Sequence, residues 1–410
     1  MSGPEIITLG CRLNIAESEA IRAMTADDAN LIVVNSCAVT NEAVRQTRQA
    51  IRRAKRDRPD ARVVVTGCAA QISPDIFAAM PEVSAVVGNR EKMSPEAFRP
   101  SEMRVRVSDI LTVEEHAPHL ASAFAEHARA FVEVQNGCDH RCTFCIIPYG
   151  RGNSRSAAPG QVVDTVRRLV EAGHGEVVLT GVDVTSYGQD LQGRPTLGHL
   201  VERVLKDVPE LQRLRLSSID CIEIDDQLFD LVTGEARVMP HLHLSLQSGD
   251  DMILKRMKRR HGRAEAIALV ERLKAKRPEI SIGADIIAGF PTESEDMFRG
   301  SLDLIAACDV VHGHIFPFSP RDGTPAARMP QLNGTVIRER AARLRAACED
   351  RRARWLESLV GTRQQVLVER SGHSGHAENF APVRFSSLQT PGAIVSVSVA
   401  ATEGGVLTAA

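Results

Sequence analysis

The chain has 410 residues, enough for two or three domains, and its 50 Lys and Arg nearly cancel its 52 Asp and Glu. That balance excludes a uniformly basic nucleic-acid binder, while local basic patches stay open. No apolar run nears the roughly 18 residues that span a bilayer, and no basic-then-apolar leader is read at the N-terminus, so a cytoplasmic, reducing location is the expectation and the nine cysteines are not read as a disulfide framework.

The first ninety residues read as repeated strand–helix units. Strands are expected at Glu5–Leu9, Leu31–Val34, Arg62–Thr66 and Ala85–Val87, with helices at Asn14–Met24 and Asn41–Arg58. Short apolar strands alternating with helices imply a doubly wound parallel sheet. Residues 91–128 have no firm period and carry Pro95, Pro100 and Pro118, which reads as irregular structure and linker. A second series starts at Ala130–Gln135 and continues at Glu176–Thr180, Gln212–Ser217, His241–Leu246, Ser281–Ile287 and Val310–Phe316. With helices such as Gly160–Ala172, Leu197–Lys206 and Arg263–Lys276 between them, these six strands suggest an α/β fold with a partial (β/α)6 barrel. An Arg-rich helix at about Val336–Leu359 closes it. The last fifty residues change character: Gln364–Glu369, Ala381–Phe385 and Ile394–Ala400 read as strands of a small all-β barrel. The expected domains are therefore 1–100, a linker at 101–127, then 128–358 and 359–410.

The strongest local signal is Cys138-x-x-x-Cys142-x-x-Cys145. Three thiolates on one short loop can hold three irons of a four-iron cluster and leave the fourth iron open. The loop follows a strand, so it falls at the end of the barrel where active sites lie. The competing reading is a structural zinc site with His140 as fourth ligand, but only one cysteine arm is visible where such sites use two. Cys11, Cys37 and Cys68 are dispersed, yet each directly follows an expected strand, one βα unit apart. Neighbouring parallel strands would bring the three thiols to one sheet edge, where ligands bind. Buried core thiols are the alternative, since free Cys is commonly buried. Cys308 and Cys348 read as such thiols; Cys221 ends a strand near the active face but is not read as a ligand.

Cys138-x-x-x-Cys142-x-x-Cys145 with Phe144 before the last cysteine resembles the radical S-adenosylmethionine superfamily. With Cys11, Cys37 and Cys68 added, the chain resembles the methylthiotransferases over almost its whole length. The likeness includes Thr8-Leu-Gly-Cys-Arg-Leu-Asn14, Asn35-Ser-Cys-Ala-Val-Thr40, Gly67-Cys-Ala-Ala-Gln71, Leu244-Ser-Leu-Gln-Ser-Gly249 and Asp285-Ile-Ile-Ala-Gly-Phe-Pro291. The end of the chain resembles a TRAM domain, a small RNA-binding β-barrel. The resemblance implies two [4Fe–4S] clusters. One, on Cys138, Cys142 and Cys145, would bind S-adenosylmethionine, whose reductive cleavage gives a 5′-deoxyadenosyl radical. The other, on Cys11, Cys37 and Cys68, would carry or donate sulfur. Phe144, Gly181, Asp183, Ser217, Ser218, Asp220, Ser245 and Gln247 are the implied cofactor contacts, with Gly181 allowing close approach of the methionine part. The family commonly has Glu-Pro after the paired serines, where this chain has Asp220-Cys221.

Three subfamilies compete: enzymes acting on threonylcarbamoyladenosine in tRNA, on isopentenyladenosine in tRNA, or on an aspartate of a ribosomal protein. The compact Arg151-Gly-Asn-Ser-Arg-Ser156 and Thr8-Leu-Gly-Cys-Arg-Leu-Asn14 resemble the first. The implied partners are the tRNA anticodon stem-loop and a reducing electron-donor protein, with no membrane, and the chain is expected to be a monomer. A zinc-bearing RNA-binding protein without catalysis is the alternative of a different class. Charge gives a cross-check: Met252–Arg277 has ten Lys or Arg against two Glu, and Asn41–Arg58 has seven against two acids. Such stretches could face phosphates. The final β-domain is not basic, with three Arg against three Glu, so the body of the enzyme would carry more of any RNA contact.

Overall fold

In the computed structural model, residues 3–114 and 127–409 are described. The chain begins with β1 (Glu5–Thr8), α1 (Arg12–Met24), β2 (Leu31–Ser36), α2 (Asn41–Asp57), β3 (Arg62–Gly67), α3 (Cys68–Ile72), α4 (Pro74–Ala78), β4 (Ala85–Val87) and β5 (Val105–Arg106). The strands form a parallel sheet in the order β1-β2-β3-β4-β5. β2 and β3 are runs of Val and Ile buried on both faces, as a sheet covered by helices on each side requires. On α2 the Thr40 hydroxyl accepts the N–H of Ala43, and Thr47, Ile51 and Ala54 form the buried stripe.

β5 lies in the stretch read as linker. Two residues carry no periodicity, so its pairing with β4 had no local signal. Pro118, also assigned to the linker, falls outside the described residues.

The second region contains β6 (Ala130–Asn136), α5 (Ile147–Arg151), β7 (Arg155–Ser156), α6 (Pro159–Glu171), β8 (Glu176–Gly181), α7 (Leu197–Asp207), β9 (Arg213–Leu216), β10 (Ser218–Ile219), α8 (Asp226–Gly234), β11 (His241–Gln247), α9 (Asp251–Met257), α10 (Arg263–Lys276), β12 (Ser281–Ala288), α11 (Glu295–Ala307), β13 (Val310–Pro317) and α12 (Gly334–Ser358). The strands form two sheets rather than one, β7-β6-β8-β9 and β10-β11-β12-β13, parallel throughout except for the antiparallel edge strand β7. The expected third strand ends at Ser217, and β9 within it pairs with β8; the further short strand β10, beyond Ser217, pairs with β11. The largest apolar core lies between these strands and their helices, and Ala16 of α1 joins it, so the first region is packed onto the barrel.

The chain ends in a closed barrel of β14 (Arg363–Val368), β15 (Ser374–Ala377), β16 (Pro382–Arg384), β17 (Ile394–Glu403) and β18 (Val406–Ala409), ordered β14-β15-β16-β18-β17. β15 and β18 are absent from the sequence reading; Ser-Gly-His-Ala has no alternation to show. Asn379 and Phe380 of this barrel reach the base of the central one. The Ser281 hydroxyl donates to the Asn379 carbonyl at 2.6 Å, and Phe380 stacks on His241 at 5.0 Å between centroids.

Candidate active site

Cys11, Cys37 and Cys68 stand at the carboxyl ends of β1, β2 and β3, which are in direct register: Thr8 lies opposite Asn35, and Ser36 opposite Gly67. Gly10 and Gly67, each preceding a cysteine, take φ of 97° and 91°, a left-handed turn that favours glycine. A Cβ on Gly10 would come within 2.8 Å of the Cys37 Cβ. Asn14 ties two of the loops together, donating to the carbonyls of Leu9 at 2.6 Å and Ser36 at 3.1 Å. The three thiols therefore converge, as the strand-end spacing implies.

Below them lies a buried charge cluster that the sequence reading missed. The Glu17 carboxylate accepts from Arg151 and pairs with Lys92 at 2.6 Å; all three side chains are essentially sealed from solvent. Arg151 also donates to Asn14 at 2.5 Å and, through Nε, to the Cys68 sulfur at 3.1 Å. Two buried cations against one carboxylate leave an excess positive charge beside Cys68. A thiolate-bound cluster, whose net charge is negative, offsets that excess.

The second thiol set sits on the loop between β6 and α5. Its anchors are backbone bonds, Cys138 N–H to Gly152 O at 3.1 Å and Thr143 N–H to Met257 O at 3.1 Å. Gly137, at φ 74°, passes against the Asn153 carbonyl, where a side chain has no room. Cys138 faces the Asp183 carboxylate at 3.7 Å, and Cys142 faces the Arg259 guanidinium at 3.7 Å. Burial pushes Cys145 up to about 12 and Cys37 up to about 11, and raises Cys138 as well. Loading iron on these thiols therefore releases protons. His140 pairs with Asp183 at 3.0 Å, which raises its pKa. The Asp183 Oδ2 that takes His140 also meets the Cys138 sulfur, so the imidazole stands beside that thiol.

The two thiol sets adjoin. α5 starts two residues after Cys145, and a Cβ on its Gly150 would stand 3.1 Å from the Cys68 Cβ.

Asp220 directly follows β10. Burial pushes its carboxyl up, but the approach of His261 at 3.5 Å and the charge of Arg259 outweigh this and hold it at about 2. Arg259 reaches Asp220 at 2.7 Å and the Ser245 carbonyl at 3.0 Å, so one guanidinium links the cysteine loop to two strand ends. Cys221 is buried, its sulfur within 4.8 Å of the Asp220 and His261 ligand atoms. Ser217 is buried with its hydroxyl unpartnered among the described residues, whereas Ser218 is exposed. Gln247 takes a left-handed φ of 64° at an irregularity of the β11–β12 ladder. Phe144 packs among Ile253, Met257 and Phe290. For Gly181 the tight approach is by the protein itself: a side chain would meet the Gln135 carbonyl at 2.5 Å.

Strand alternation fixes the lining of the barrel interior. Leu214, Leu216, Leu242, Leu244 and Leu246 join the outer core, so Arg215, His241, His243 and Ser245 face inward. The interior is polar, unlike the apolar filling of many barrels. The runs Arg213-Leu-Arg-Leu-Ser217 and His241-Leu-His-Leu-Ser-Leu-Gln247 carried this signal in plain alternation.

Residues 132–305 match the Radical SAM superfamily, and residues 4–88 match a family described as Uncharacterized protein family UPF0004. The radical S-adenosylmethionine methyltransferase TsrM from Kitasatospora setae, with cobalamin and a [4Fe–4S] cluster bound, shares the fold. Its TM-score is 0.55 at 16% identity, covering 80% of this chain and 74% of that one. The site and fold thus define a radical S-adenosylmethionine enzyme. The threonylcarbamoyladenosine tRNA methylthiotransferase MtaB of Rickettsia prowazekii is 50% identical over 98% of this chain and 96% of its own length. Its namesake in Bacillus subtilis is 34% identical over 96% and 92%. The tRNA-2-methylthio-N(6)-dimethylallyladenosine synthase of Erythrobacter litoralis is 34% identical over 90% and 87%. The chain belongs to the radical S-adenosylmethionine tRNA methylthiotransferases, enzymes that use S-adenosylmethionine and [4Fe–4S] clusters. No helix among the described residues is long and apolar enough to cross a membrane.

Proposed function

We propose that the enzyme methylthiolates C2 of N6-threonylcarbamoyladenosine at position 37 of tRNA. Cys138, Cys142 and Cys145 hold the cluster that binds S-adenosylmethionine, and Cys11, Cys37 and Cys68 hold the second. The observation that carries this reading is the contact of α5 with Cys68, which sets the two three-thiol groups side by side. A base inserted between them meets both. When bound, the cofactors supply reductive sulfonium cleavage, carbon–hydrogen activation and sulfur.

The chain's own groups position and seal. Asp220 is held ionised by Arg259 and His261 and suits ribose hydroxyls, and the unpartnered Ser217 hydroxyl suits the same ligand. Asp183, tied to His140 and Ser186, faces Cys138 and suits the ligand's amino group. Phe144 supports the loop, and Ser218, Ser245, Gln247 and Gly181 shape the surrounding strand ends. The anticodon stem-loop meets the exposed cations Lys255 and Lys258 beside the cysteine loop and the arginines of α2. The name of the relative at 50% identity supports the threonylcarbamoyl substrate over the isopentenyl one.

The test is nucleoside mass spectrometry of tRNA from a deletion strain, with and without the gene restored. Loss of the 2-methylthio form of threonylcarbamoyladenosine, regained on restoration, is the expected result. Loss of 2-methylthio-isopentenyladenosine instead overturns the substrate assignment.

A further inference from the structure

Arg12 directly follows Cys11 and opens α1. Its guanidinium carbon lies 5.9 Å from the centre of the Phe380 ring, inside the base of the barrel. Around the same ring stand Arg215 at 4.9 Å and Arg129 at 5.4 Å. Those two are matched. Glu176 takes Arg215 at 3.0 Å, Arg129 at 3.2 Å and Arg213 at 3.7 Å, while Glu369 takes Arg129 at 2.7 Å. Arg12 has no ion-pair partner among the described residues. The other interior carboxylate whose charge it feels, Asp285, is engaged by His243 at 3.0 Å and His314 at 3.3 Å through one oxygen. A half-buried guanidinium among like charges is stabilised by an anion that the protein does not supply.

The proposed substrate has such an anion. Its N6 group ends in a free threonine carboxylate. C2 and C6 flank N1 on one edge of the adenine, so the N6 group lies close to the reacting carbon. A cation on the residue next to Cys11, aimed into the barrel, stands on the side where that group must go. Backbone phosphates of the stem-loop remain outside the barrel and do not compete for it.

We propose that Arg12 is a specificity-determining residue that binds the carboxylate of the threonylcarbamoyl group. This inference rests on the assigned substrate. Arg12 forms a charge-assisted, forked pair with the carboxylate, while Asp285 stays engaged by its two histidines. A neutral isopentenyl group leaves Arg12 unpaired, so the same side chain rejects it.

The test uses the anaerobically reconstituted holoenzyme and synthetic anticodon stem-loops carrying threonylcarbamoyladenosine, its methyl ester, or isopentenyladenosine. Binding is read by fluorescence anisotropy. The wild type is expected to bind the acid tighter than the ester by on the order of tenfold to a hundredfold. Arg12→Gln removes that preference, with iron content and visible absorbance unchanged, and Arg12→Lys restores part of it. Equal wild-type affinity for acid and ester overturns the inference without any variant, as does an Arg12→Gln enzyme that keeps the preference. Wild-type turnover on the isopentenyl stem-loop but not on the threonylcarbamoyl one overturns the substrate assignment itself. Turnover on the threonylcarbamoyl stem-loop with an acid preference independent of Arg12 overturns only the role given to Arg12.

Discussion

Arg151 belongs to the cysteine-loop region but does its work under the other thiol set. It holds Glu17, Asn14 and the Cys68 sulfur at once, the first two fully buried. Arg151→Met keeps the bulk and removes the charge, leaving Glu17 to Lys92 alone and Cys68 without its donor. The expected outcome is loss of the second cluster, iron falling from about eight to about four per chain, and a stability loss of about 3 kcal/mol. Iron analysis and thermal melts check this; iron that stays near eight would show that Arg151 is not needed to hold the cluster. The six cysteines were legible as positions: Cys11, Cys37 and Cys68 because each follows a strand, and Cys138, Cys142 and Cys145 because of their spacing on one loop. Arg151, Arg259 and Arg12 were not. An arginine reaches far from its backbone, and the partners of Arg151 lie more than eighty residues away in sequence. Arg151 and Arg12 stand within family-like stretches of sequence, but such stretches specify residues and not contacts.

At the scale of elements, the base of the barrel depends on Glu176, the first residue of β8. One carboxylate serves three arginines. Burial pushes Glu176 up, but Arg215, Arg129 and Arg213 outweigh it and hold it at about 2. Its folded value is thus below the ordinary value of about 4.3. Its contribution is present above that ordinary value and is lost as pH falls toward 2. Glu176→Gln leaves Arg213 and Arg215 without a carboxylate and Arg129 with Glu369 alone, at a cost of about 3–5 kcal/mol near neutral pH. The gap between wild-type and variant melting temperatures should narrow between pH 5 and pH 3; a constant gap would mean the carboxylate charge is not what stabilises. The six barrel strands were legible from apolar runs, and most boundaries lie within two residues of the expected ones. The separate β10 was not, because the two residues Ser218–Ile219 are too few to carry a pattern. Only pairing with β11, where β9 pairs with β8, makes it a strand of its own. The two-residue β5 and the Ser-Gly-His-Ala strand were hidden for a similar reason: tertiary pairing, rather than local pattern, makes them strands.

At the scale of the molecule, the near-neutral charge conceals a division of labour. Exposed cations gather near the cysteine loop and on α2, whereas the terminal β-barrel is balanced in charge and sends Phe380 to the base of the central barrel. That ring rests against His241 and His376 and under three guanidinium groups, held in place by a backbone at φ 66°. The terminal barrel is therefore a stopper for the central one. Cutting the chain after residue 358 would leave both thiol sets intact and unplug the floor beneath them. Water and loose side chains would then compete for the radical meant for the tRNA. The fault would be one of coupling: 5′-deoxyadenosine outrunning methylthiolated product by several-fold, in an enzyme that still carries all its iron.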